Sequence, residues 1–283
     1  MIKSIVAALD GSAESLLGLK LGASWAGQLD AELRAVFVER ESRFVEFPSY
    51  SDSEGTVPRP VELPEERLRE VEAAFKAEEA ELMEKFNSIT ERIKSRSSLK
   101  IIRGNVRSTL VREARSADLA IIGKKGVEDL PHLKRVGPFA EAVIREALRP
   151  VLLVPEKNSG KGPLLIAFDG GNGVHRVLPV TMELALALKL PLTVLTVSKD
   201  PETARSIQEP LRAFLDPYGI EYEFRVKASP DGAAREILAT AREIDASMIA
   251  MGAFSHTPFA ELFFGSTTRD VLEDVECPVL MMT

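Results

Sequence analysis

The residues best suited to chemistry in this chain lie in short segments that join glycine to hydroxyls or to aspartate. Residues 251–268 read MGAFSHTPFAELFFGSTT. Gly252 closes an apolar run, a loop follows, and Gly265-Ser266-Thr267-Thr268 opens a helical pattern. Glycine admits close approach of backbone to a ligand, and a helix start presents unpaired N–H groups at the positive end of its dipole. Hydroxyls at that point add donors, so the chemistry is that of a phosphate cradle. Nothing in the segment is arranged for covalent catalysis. The plainer alternative is a strand–loop–helix connection in which Ser266 merely caps the helix.

The arrangement belongs to a repeated unit. IVAALDGSAES near the start ends an apolar run in Asp10-Gly11-Ser12, and LLIAFDGGNG ends another in Asp169-Gly170-Gly171. DLAIIGKKG carries Gly123 and Gly126, and SMIAMGAFS carries Gly252. Each half closes with a proline-led apolar strand, RPVLLV at 149–154 and CPVLMM at 277–282. An internal repeat of this kind governs the fold. It divides the chain into 1–155, a linker at 156–163 with the composition EKNSGKG at its start, and 164–283.

The elements that must position these residues alternate. In the first half strands are expected at 2–9, 32–38, 99–103, 119–123 and 151–154, and helices at 12–28, 64–96, 106–116 and 138–148. In the second half strands are expected at 164–169, 192–197, 221–226, 246–252 and 279–282, and helices at 174–189, 201–216, 232–243 and 266–274. Apolar strands alternating with helices mean an α/β domain with a mostly parallel sheet. Ligands of such sheets sit beyond the carboxyl ends of the strands, where strand order reverses. Asp10, Asp169 and the glycine segments all fall there. A proline-rich loop and a long charged helix over 41–99 stand as an insertion in the first half, expected to pack across it and make the two sites unequal.

Composition bounds the function. A length of 283 residues suits two domains, and a net charge of −7 with no basic face argues against nucleic acid as a partner. No apolar run reaches membrane-span length, and the lone Cys277 fits a reducing, cytoplasmic setting and a buried core role. The three histidines, His132, His175 and His256, are scattered without ligand spacing, and no Walker lysine follows a glycine loop. No catalytic residue or metal cluster is assigned, so binding outweighs catalysis, with slow hydrolysis of a bound phosphate ligand the most chemistry expected. Asp10 and Asp169 are open to two readings: Mg2+ held through phosphate oxygens, or carboxylates accepting turn amides or a ribose hydroxyl.

At these residues the chain resembles a tandem universal stress protein. The family pattern places an Asp at the end of the first strand and G-x2-G-x9-G-[S/T] after the fourth. The second half carries Gly252-x2-Ser255-x9-Gly265-Ser266-Thr267, and the first carries Gly123-x2-Gly126 and then, one residue later than the pattern, Gly137-Pro138. The resemblance implies two five-stranded parallel sheets of order 3-2-1-4-5 with helices on both faces. It also implies pairing of the halves through their last strands, leaves a homodimer open, and implies ATP or another adenine nucleotide as ligand. Asp169 is then expected near adenine and ribose, backbone around Val197 at the adenine edge, and Gly252, Ser255, His256, Gly265, Ser266 and Thr267 around ribose and phosphates. The matching first-half positions are Asp10, Val38, Gly123, Gly126 and Gly137. Ser255 stands where the pattern has glycine, and Pro138 removes a hydroxyl and an N–H. The nucleotide is therefore expected mainly in the second half. Lys124, Lys125, His132, Lys134 and Arg135 of the first loop are a second potential source of phosphate charge. The remaining readings are an adenylating enzyme and a scaffold whose sites have decayed.

Overall fold

Alternation of short apolar strands with amphipathic helices sets the architecture. The computed structural model describes residues 1–40, 44–45, 61–62, 64–127, 129, 135–157, 160–229, 232–253 and 265–283. The first half runs β1 (Ser4–Ala8), α1 (Ala13–Leu29), β2 (Glu32–Arg40), the short pair β3 (Phe44–Val45) and β4 (Val61–Glu62), and α2 (Glu65–Thr90). It continues with β5 (Ser97–Gly104), α3 (Val106–Arg115), β6 (Leu119–Gly123), α4 (Pro138–Glu146) and β7 (Val151–Val154). The second half runs β8 (Leu164–Ala167), α5 (Asn172–Leu188), β9 (Leu192–Val197), α6 (Pro201–Leu215) and β10 (Tyr222–Lys227). It ends with α7 (Ala233–Glu243), β11 (Met248–Gly252), α8 (Ser266–Asp274) and β12 (Val279–Met282).

Ten of these strands form one sheet of order β10-β9-β8-β11-β12-β7-β6-β1-β2-β5. Within each half of this sheet the order is the expected 3-2-1-4-5 and the pairing parallel, and the separate β3–β4 pair is antiparallel. The halves meet where β12 runs antiparallel to β7, with Leu280 opposite Leu152. The central strands are buried on both faces, which is why β6, β7, β8 and β12 read as unbroken apolar runs. One core layer packs α1, α2, α5 and α6 on the sheet through Leu19, Phe86, Leu178 and Leu211. The other packs α3, α4, α7 and α8 through Val111, Val143, Ile237 and Val271. Both layers run through the two halves.

Two features differ from the reading of the sequence. The helix expected to 96 ends at Thr90. It also holds the same place in the connectivity as α6, between the second and third strands of its half, so the helix is a lengthened common element of 26 residues against 15. Only the stretch ahead of it is additional. The linker composition also leaves out the contacts that its last residues make. Gly162 N–H donates to the Asp245 carbonyl at 2.7 Å, and Lys161 N–H to the Asp245 carboxylate at 3.1 Å. A Cβ on Gly162 would lie 2.1 Å from the Ile244 oxygen, so glycine serves close approach here and not slack.

Two outcomes follow for stability and reactivity. Gly162→Ala is expected to destabilise the protein by about 1–3 kcal/mol, because the turn at 244–245 must give way; thermal or urea unfolding reads this. Burial pushes the Cys277 thiol up to about 12, with Glu276 and Asp245 adding repulsion against a backbone hydrogen bond. A neutral alkylating reagent should leave Cys277 unmodified in the native protein and label it after denaturation.

Candidate functional site

The first strand of each half ends in a turn of the same construction. Asp10 Oδ1 accepts the Ser12 N–H at 3.0 Å and the Ser12 hydroxyl at 2.6 Å, and Asp169 Oδ1 accepts the Gly171 N–H at 2.8 Å. The intervening Gly11 and Gly170 have φ of +82° and +73°, the left-handed region open to glycine. Acceptance of turn amides, one of the readings open for these aspartates, is seen at both.

The fourth strand of each half ends against the start of the helix that follows the first. In the second half a Cβ on Gly252 would lie 3.0 Å from Val174 N and 3.0 Å from Gly173 C, so the strand end and the α5 start touch. Thr268 of α8, 4% exposed, donates its hydroxyl to the Gly252 carbonyl at 3.3 Å. Two helix starts therefore converge on Gly252. Their caps, Gly171 and Gly265, supply no side-chain hydrogen bond, and neither first turn holds an acidic residue. Ser266 is exposed and Thr267 half-buried beside them. Val197, at the end of β9, is half-buried and pairs with Lys227. Asp169, Val197, Gly252, Gly265, Ser266 and Thr267 thus lie along one carboxyl edge, while Ser255 and His256 fall outside the described residues.

The first half has the same scaffold with the opposite charge. A Cβ on Gly123 would lie 2.9 Å from Glu14 Cβ and 3.3 Å from Ser15 N, so β6 touches the start of α1. Here Ser12 caps the helix and Glu14 sits in its first turn, and α4 carries Glu141 in its own. Gly126 and Gly137, expected to cradle phosphate, spend their amides inside the protein: Gly126 N–H donates to Asp129 Oδ2 at 2.8 Å and Gly137 N–H to the Lys124 carbonyl at 2.8 Å. Val127 N–H donates to Asp10 Oδ2 at 3.0 Å, and Pro138 has no N–H to offer. Asp129 is a partner of this loop that the glycine spacing does not reveal. Its signal in the sequence is a carboxylate three residues after Gly126, within reach of that amide.

Between β1, β2 and β6, a cavity of about 480 Å³ opens on this edge. Val38, Leu110, Ile122 and Phe139 form apolar wall, and Phe75 and Glu78 of α2 line it as well, while most of the proline-rich loop of the expected insertion lies outside the described residues. Arg40 lies over the Phe139 ring at 5.5 Å. The loop cations are distributed otherwise than expected. Lys125 lines the cavity, whereas Lys124 is 8% exposed and donates to the Glu273 carbonyl at 2.7 Å, at the last turn of α8 in the other half. Cations are favoured at that helix end. Arg135 lines a cleft with Arg269 and Glu273, and His132 and Lys134 lie outside the described residues.

A model of the universal stress protein family matches residues 1–155 and 220–283, and the chain belongs to that family. A universal stress protein of Synechocystis is 29% identical over 167 residues, which make up 58% of this chain. The chain spans little more than half of that relative, 57% of its length. A universal stress protein from Archaeoglobus fulgidus superposes with a TM-score of 0.70 at 18% identity, over 98% of this chain and 94% of its own. A functionally unknown protein from Pseudomonas aeruginosa PAO1 does so with 0.62 at 20% identity, over 99% and 92%. These two establish the shared fold. No helix among the described residues is long and apolar enough to cross a membrane.

Burial pushes the Glu14 carboxyl above the usual range, and repulsion from Glu156 and Asp10 adds to it, against a backbone hydrogen bond and Lys125. The folded protein therefore ionises Glu14 less readily than the unfolded chain does. Its charge costs stability above the folded pKa and nothing below the unfolded one. Glu14→Gln should raise the melting temperature at neutral pH, with the gain shrinking as pH falls toward about 4; melting curves at several pH values check this.

Proposed function

We propose that this chain is an adenine-nucleotide-binding stress-response protein that holds ATP mainly in its second half. Asp169 takes the ribose side, backbone near Val197 the adenine edge, and Gly252, Ser255, His256, Gly265, Ser266 and Thr267 the phosphates. The observation that carries this reading is the convergence on Gly252 of two helix starts whose cap residues, Gly171 and Gly265, have no side chain and whose first turns hold no acidic residue. Backbone amides and aligned dipoles at such a point favour an anion without any lysine. Family membership supports the same ligand class. Mg2+, where it takes part, would be held beside the phosphates by Asp169 and would offset their charge. The lone, buried Cys277 suits a cytoplasmic setting.

Calorimetric titration of ATP with Mg2+ into nucleotide-free protein tests this. One equivalent is expected to bind, and Gly265→Asp, which sets a carboxylate at the α8 start, should weaken binding by about a hundredfold or more. Two equivalents, one surviving the substitution, would place phosphates in the first half too. No binding at all would favour the scaffold reading. Turnover above about 1 s⁻¹ would favour an enzyme.

A further inference from the structure

The first-half cavity is fully formed among described residues yet hostile to phosphate. Of the backbone positions that a phosphate would use, Gly126 is bonded to Asp129, Gly137 to the Lys124 carbonyl, Val127 to Asp10, and Pro138 carries no hydrogen. The Asp129 carboxylate presses on the cradle so closely that a Cβ on Gly137 would lie 2.2 Å from its Oδ2. On Gly126 a Cβ would lie 2.7 Å from Asp10 Oδ2 and 3.8 Å from Asp129 Oδ2, so two carboxylates flank the same glycine. Glu14 and Glu141 occupy the first turns of the two helices that start here. Among the described residues Lys125 and Arg40 are the cations of the lining, and Arg40 lies over Phe139.

We propose that Asp129 is a built-in occupant of the first half's anion cradle, and that the cavity beside it takes a phosphate-free, nucleoside-like ligand. The carboxylate accepts the Gly126 amide as a phosphate oxygen would, and stands at the start of α4, where the dipole favours a negative charge. A phosphorylated ligand would have to displace it or sit against it, and like charges in contact are strongly disfavoured. A cavity of about 480 Å³ with apolar walls accommodates a flat base and sugar. Asp10 uses three acceptor sites on Ser12 and Val127, which leaves lone-pair capacity for a sugar hydroxyl. Asp129 is thus a specificity-determining residue that divides labour between the halves. The choice of a nucleoside rests on the nucleotide reading of the family fold; the exclusion of phosphate rests on the geometry alone.

The experiment uses the full chain carrying Gly265→Asp, titrated with adenosine and with ATP. Adenosine is expected to bind the first half near one equivalent, read as the binding lost when Leu110→Trp fills that cavity, and ATP at least about tenfold more weakly there. Adding Asp129→Asn, which keeps an acceptor oxygen and removes the charge, should raise the ATP-to-adenosine affinity ratio at least about tenfold. ATP binding as tightly as adenosine, absence of adenosine binding, or an unchanged ratio in the Asp129→Asn protein would each overturn the proposal. The ratio within one protein is insensitive to partial misfolding, and the Gly265→Asp arm needs no change at Asp129. If ATP fails to bind the unaltered protein while adenosine binds the Gly265→Asp protein, the second-half nucleotide site falls and this inference stands.

Discussion

Antiparallel pairing of β7 with β12 is the constraint on which the rest of the molecule depends. Each half alone would end in an apolar strand with one unpaired edge, VLLV in the first and VLMM in the second. Exposed apolar edges invite pairing with other chains, and joining them removes that hazard at the centre of the molecule. The seam makes a single ten-stranded sheet, lets both core layers run through the whole chain, and sets the carboxyl edges of the halves facing opposite ways along it. Lys124 crosses from the first-half glycine loop to the last turn of α8, so the loop nearest one site is tied to the helix that begins the other.

Duplication then leaves two copies of one scaffold free to diverge in charge. Strand ends press on helix starts at Gly123 and Gly252 alike, and the Asp-Gly turns superimpose in their hydrogen bonding. What differs is which groups occupy the helix starts. In the second half they are glycines and hydroxyls, and in the first they are Glu14, Glu141 and Asp129. A helix dipole attracts one negative charge to its start and gains little from a second, so a carboxylate supplied by the chain and a phosphate supplied by a ligand compete for one position.

The lengthened α2 adds a second asymmetry. Leu82 and Phe86 are buried in its C-terminal turns and anchor it to the first core layer, while Phe75, two turns earlier, reaches the cavity. A helix of 26 residues can do both, where the 15 residues of α6 serve the core. The first-half cavity is therefore roofed by a common element grown longer.

Local pattern by itself determined the strands, the helices, their alternation and the duplication, because burial on both faces of a parallel sheet writes continuous apolar runs directly into the chain. It also marked Asp10, Asp169, Gly123 and Gly252, since turn and close-approach positions demand particular residue types. Tertiary structure decided what those positions do. That Gly126 donates to Asp129, that Lys124 reaches Glu273 and that Gly160 and Gly162 are pressed against the turn at 244–246 are contacts between segments whose spacing in sequence carries no trace of them. A carboxylate in a loop reads as solvated until the fold brings an unpaired amide and a helix start to it, and only then does it stand where a phosphate could.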